Sequence, residues 1–108
     1  MQFPYSFNVA GVTFEGRMAK IEKYVHRGSK FMLEMEPENK WDKNAVRVRQ
    51  VFKSGGKATL GYVPRKDSAE LQPMMVAGEK FKVVFLVKHM REEDGKCVGL
   101  RLKITREE

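Results

Sequence analysis

Cysteine is nearly missing from this chain: Cys97 stands alone, so no disulfide can form within it. That scarcity fits a reducing, intracellular setting. Soft metal ligands are equally scarce. His26, His89 and Cys97 are the whole supply, which argues against a structural zinc site. No apolar run approaches the roughly 18 residues of a membrane span. The opening stretch, Met1-Gln2-Phe3-Pro4-Tyr5-Ser6, has neither a basic n-region nor an apolar h-region. A cytoplasmic protein with no metal, no cofactor and no membrane partner is therefore expected. Linkers, internal repeats and low-complexity segments are also missing.

Catalytic signatures are lacking as well. There is no P-loop, no G-x-S-x-G, no H-E-x-x-H and no G-x-G-x-x-G. Cys97 and His89 could pair as nucleophile and base, but Cys97 opens an alternating strand, where a packed small residue is the simpler reading. Glu34, Glu36 and Glu38 read as the solvated side of a strand and its exit. The loop around Asp42 lacks the central Gly and the later bidentate Glu of an EF-hand. No enzyme is expected.

What the chain has is charge of one sign. With 21 Lys and Arg against 14 Asp and Glu, its formal charge is +7, which favours polyanions such as nucleic acid or acidic lipid. Its 108 residues suit one domain, spanning 1–108, with one core.

Hydrophobic alternation predicts a strand over 5–14, with Tyr5, Phe7 and Val9 on one face and a bulge or close backbone approach at Gly11. Phe14 follows as either a core residue or an exposed ring. Met18, Ile21 and Val25 have helical spacing over 17–25, and Arg17, Lys20, Lys23 and Arg27 form a basic, solvated side that ends at Gly28-Ser29. Strands follow over 30–36 and 45–52, with Val46, Val48 and Phe52 on one face. Ser54-Gly55-Gly56-Lys57 then makes a hairpin into a strand over 58–63, where Gly61 marks a close approach. Asp67, with Glu70 three residues on, predicts a capped helix reaching Ala77, disturbed at Pro73. Leu71, Met74 and Met75 should face the core. Strands over 80–88 and 97–104 flank a turn at 93–96, the second with Val98, Leu100, Leu102 and Ile104 inward. The order β-α-β-β-β-α-β-β predicts a mostly β protein with two short helices, a partly open six-stranded β-barrel of the OB or SH3 type.

The stretch Glu36-Pro37-Glu38-Asn39-Lys40-Trp41-Asp42-Lys43-Asn44-Ala45-Val46 stands out. Pro37 ends the incoming strand, and Asn39, Asp42 and Asn44 can bond their own backbone into a compact turn. The single Trp sits there beside a carboxylate, either plugging the end of the core or serving as a platform for a ligand. Phe14, Trp41, Tyr62, Arg65 and Lys66 then form a set of aromatic and basic groups near loop ends. Bases stack on such rings at about 1–3 kcal/mol each, and Lys and Arg neutralise phosphates. Asp42 could accept from a sugar hydroxyl. In the plainer alternative, Trp41 and Tyr62 cap the core and Asp42 holds the turn.

Three blocks in order, Val9-Ala10-Gly11-Val12-Thr13-Phe14, then Glu36 through Val48, then Leu60-Gly61-Tyr62-Val63-Pro64-Arg65, resemble the HIRAN domain. The middle block, E-P-x-N-x-aromatic-D-x-N-A-V, is the specific one. The resemblance implies a modified OB-like barrel with two helices. It implies binding of single-stranded DNA at its 3′ end, in DNA repair or replication-fork processing. It places Trp41 and Phe14 as stacking rings, Asp42 at the terminal 3′-hydroxyl, and Arg65 at the last phosphate. Tyr62 falls where related proteins can carry His, Thr13 where a eukaryotic member carries a basic contact, and Lys66 beside Arg65. No motor follows, so helicase activity is not implied. A protein-interaction or scaffolding barrel without nucleic-acid binding is the alternative.

Overall fold

The computed structural model describes residues 1–107. Its elements run β1 (Tyr5–Asn8), α1 (Arg17–Tyr24), β2 (Lys30–Met35), β3 (Val46–Val51), β4 (Lys57–Tyr62), α2 (Arg65–Val76), β5 (Phe81–Met90) and β6 (Cys97–Arg106). The expected order is the observed one. The strands form two antiparallel three-stranded sheets, β1-β6-β5 and β2-β3-β4, so the barrel is OB-like but not closed.

One short crossing stitches the sheets together. Past the end of β1, Val9 still donates to Leu100 in β6, while Ala10 exchanges two 2.8 Å hydrogen bonds with Tyr62 in β4. Gly61 is what permits this. A Cβ there would lie 2.3 Å from the Ala10 oxygen, well inside contact distance. The close approach expected at Gly61 is thus the seam of the barrel. One buried cluster gathers Phe7, Val9, Val46, Val48, Leu60, Leu100, Leu102 and Ile104 from the strands and the segment after β1, with Ile21 and Leu71 from the helices, so strand alternation placed most of the core correctly.

Several expectations need correction. The first strand stops at Asn8 rather than reaching 14, because Gly11 adopts φ 71° and turns the chain. Helix α1 ends at Tyr24, and Gly28-Ser29 belongs to a separate turn in which the Ser29 hydroxyl accepts from the His26 amide. Arg17 is not on a solvated face but buried. Phe52 lies past the end of β3, where its ring meets Tyr24 edge-on, and the third inward position is taken by Gln50. Helix α2 starts at Arg65 with Pro64 as its cap, so Asp67 lies inside the first turn. Its carboxylate is buried and accepts a 2.6 Å hydrogen bond from the Tyr5 hydroxyl. The helix continues through Pro73 to Val76. Val98 points outward while Cys97 is buried, because the β5–β6 register shifts opposite them at His89 and Met90. Glu34 and Glu36 are not freely solvated: Glu34 pairs with Arg47 and Arg49, and Glu36 with Arg47. None of the described helices is long and apolar enough to cross a membrane.

Candidate functional site

The β2–β3 loop is built by its own polar side chains. The Asn39 Oδ1 accepts from the main-chain N–H of Trp41 at 2.9 Å and of Asp42 at 3.0 Å. One Asp42 oxygen accepts from the Asn44 N–H at 2.9 Å. The Glu36 N–H donates to the Ala45 oxygen and closes the base of the loop. With these donors satisfied internally, the loop holds a fixed shape without burying its largest side chain. The indole of Trp41 is 81% exposed. A ring of that size normally buries most of its area, so its exposure on a well-bonded loop marks a surface available for contact. The core-plug reading of Trp41 is thereby set aside.

Facing the loop is the turn after β1. There the Phe14 N–H donates to Gly11, and the Phe14 ring is 64% exposed. Tyr62, at the end of β4, lies half-buried between them. Its hydroxyl donates to Glu36 at 2.7 Å, and the Arg17 guanidinium lies 5.5 Å from its ring centre. Burial first, and then the bond to Glu36, push the Tyr62 phenol above its ordinary value, so it stays neutral. Glu36 also accepts from the Asn39 amide at 3.1 Å, which couples the Tyr62 ring to the loop.

Arg65 closes the remaining side from the first turn of α2. It donates to the Trp41 main-chain oxygen at 2.7 Å, and its Nε lies 3.7 Å from the second Asp42 oxygen. Its side chain remains 76% exposed, so the guanidinium keeps donors directed at water. Asp42 therefore does two things at once: one oxygen holds the turn and the other faces Arg65, while the residue lines an open groove. That groove has a volume of about 500 Å³ and is lined by Phe14, Trp41, Asp42, Tyr62 and Arg65 together with Ala10 and Gly11.

Five of the seven sequence-predicted residues thus line one groove. Thr13 and Lys66 are exposed but do not line it. Asn39 and Glu36, read in the sequence only as a turn former and a strand-exit carboxylate, act as the struts of the loop and of the Tyr62 ring. Arg17 was missed because a cation on a short amphipathic helix looks like a solvated one. Its position directly after Gly16 and close to Phe14 was the available signal.

A partly open OB-like barrel with an aromatic and charged groove between a rigid loop and a helix N-terminus has the architecture of a small binding module. The chain belongs to the HIRAN domain family, whose model matches residues 3–107. HIRAN domains are in general nucleic-acid-binding modules, not catalytic ones. Among solved structures, a protein from Lactobacillus plantarum is similar over 93% of this chain and 91% of its own, at 19% identity and a TM-score of 0.63. The HIRAN domain of human HLTF is similar over 93% of this chain and 73% of its own, at 17% identity and a TM-score of 0.59. At those identities the likeness is one of fold. No curated protein matches the chain.

Proposed function

We propose that the protein is a single, non-enzymatic domain that binds single-stranded DNA and seats a 3′-hydroxyl end in the Trp41 groove, in DNA repair or replication-fork processing. The carrying observation is that Asp42 lines the groove together with the 81%-exposed Trp41, with the Arg65 Nε 3.7 Å from its carboxylate. Trp41 and Phe14 stack the terminal bases, each contributing about 1–3 kcal/mol. Asp42 accepts from the terminal hydroxyl, and Arg65 supplies the donors for the last phosphate. The Tyr62 hydroxyl is committed to Glu36, so this residue offers its ring, not a donor. Lys66 and Thr13 flank the path of the strand outside the groove. A cytoplasmic location fits the lone, buried Cys97.

The test compares two short oligonucleotides, one ending in a 3′-hydroxyl and one in a 3′-phosphate, by Trp41 fluorescence at two salt concentrations. Stacking quenches the indole, affinity falls with salt, and the 3′-phosphate binds at least tenfold more weakly because it meets the Asp42 carboxylate. The discrimination disappears in Asp42→Asn. Equal binding of the two ends would remove Asp42 from its role. Binding of peptides without any salt-dependent response to oligonucleotides would favour the scaffolding reading.

A further inference from the structure

We infer that Arg17 forms a second phosphate subsite in the same groove, with Glu15 as the anion that an incoming strand displaces. The inference rests on the nucleic-acid reading and extends it inward from the strand end.

Arg17 is an unusual cation in this protein. It is only 9% exposed, yet it stands at the first position of a short helix where the sequence suggests solvent. Its Nη1 donates to the Gly11 oxygen at 2.9 Å, its Nη2 to Glu15 at 3.2 Å, and its buried Nε has no partner among the described residues. A buried charge needs compensation. Here the only carboxylate supplying it among the described residues is Glu15, whose side chain is 79% exposed. Glu15 also holds φ 55°, a left-handed conformation that side chains other than glycine seldom adopt. An ion pair with one partner so wet contributes little, and a phosphodiester can replace it while offering more acceptor oxygens.

The placement suits a strand. Arg17 and Glu15 border a lobe of about 440 Å³ that shares Phe14, Trp41 and Tyr62 with the groove holding Asp42 and Arg65. The two cations thus serve adjoining lobes divided by the same rings. A base stacked between Phe14 and Trp41 presents its own phosphate to Arg65 and the next one to Arg17. Among the described residues Glu15 is the one carboxylate bordering this inner lobe, so it repels the strand until Arg17 exchanges partners.

The experiment is a salt titration of the full chain with a labelled oligothymidylate carrying a 3′-hydroxyl, read by anisotropy and by indole quenching. Glu15→Gln binds about three- to tenfold tighter at low salt, and the salt slope is unchanged because the number of neutralised phosphates is the same. Arg17→Met reduces the slope by about 0.7, one phosphate on a single strand. In the Arg17→Met background the gain from Glu15→Gln vanishes. A gain that persists there is a general field effect and overturns the subsite, as does a Glu15→Gln gain no larger than that of Glu38→Gln, an exposed carboxylate in the Trp41 loop. The Glu38 comparison decides the matter even if Arg17→Met does not fold. Loss of all oligonucleotide binding by the unsubstituted protein removes both readings; normal binding with no response to Glu15→Gln removes this one alone.

Discussion

Arg65 in α2 and Trp41 in the β2–β3 loop are joined by a 2.7 Å hydrogen bond from the guanidinium to the main-chain oxygen. The same guanidinium approaches Asp42, so one side chain fixes the height of the loop over the groove and neutralises its acid. Arg65→Lys keeps the charge but loses the planar fork that reaches both groups. We expect oligonucleotide affinity to fall about tenfold, which is about 1.4 kcal/mol and close to the low end for one charged hydrogen bond. Indole anisotropy should fall as well, because the loop loses its tether. Unchanged anisotropy would show that the tether is dispensable.

The seam between the sheets gives the second prediction. In Gly61→Ala the new methyl meets the Ala10 oxygen at 2.3 Å and a Val9 methyl at 2.6 Å. Neither can retreat cheaply, since Ala10 is bonded through both its main-chain groups to Tyr62. A destabilisation of about 2 kcal/mol or more follows, which lowers the melting temperature by about 10 °C. A melting temperature within a degree or two of the parent's would mean that the seam is pliable.

How far these relationships could be read from the sequence depends on whether they are local. Alternation in Val46, Val48, Leu100, Leu102 and Ile104 fixes which faces are buried, and all five are. Asn39, Asp42 and Asn44 announce a self-bonded turn, and the bonds are there. Gly61 signals a close approach without naming the partner, because Ala10 is distant in sequence. Arg17 was misjudged for a related reason: a charged residue on a helix looks solvated until a distant group, here Tyr62, covers it. Asp67 has the residue type of a cap, but its carboxylate is engaged by Tyr5, a partner far away in the sequence. The register shift that turns Val98 outward is likewise a property of two strands and not of one.

Alkaline stability supplies a third prediction. The hydrogen bond to Asp67 raises the Tyr5 phenol above its ordinary value of 10.0, and burial with the bond to Glu36 does the same for Tyr62. The fold therefore favours both neutral phenols. Their contribution is fully present below pH 10 and is lost as pH rises through 10 and past the raised values. Urea melts from about pH 8 to about pH 11 should show a falling midpoint whose alkaline limb is shallower in Tyr5→Phe and Tyr62→Phe. Tyr5→Phe should also cost about 1–3 kcal/mol at neutral pH, since the buried Asp67 carboxylate loses its donor. Parallel alkaline limbs in parent and variants would refute the assignment.

Asn39 tests whether the groove is preformed. Its oxygen receives two main-chain N–H groups, and its nitrogen donates to Glu36, the same carboxylate that holds the Tyr62 hydroxyl. Asn39→Ala releases all three bonds, but in an exposed loop the freed groups reach water. The stability loss should therefore stay near 1 kcal/mol. Binding should suffer more, because an indole on a loosened loop must be ordered again when a base stacks on it. Asn39→Asp keeps the acceptor for the two N–H groups but sets a carboxylate against Glu36, so it should stabilise the loop less than Asn does and weaken binding by adding negative charge at the groove. The order expected for oligonucleotide affinity is parent, then Asn39→Asp and Asn39→Ala well below it, with melting temperatures differing far less than the affinities. Affinity losses no larger than the stability losses would mean that the loop takes its shape only when a strand arrives.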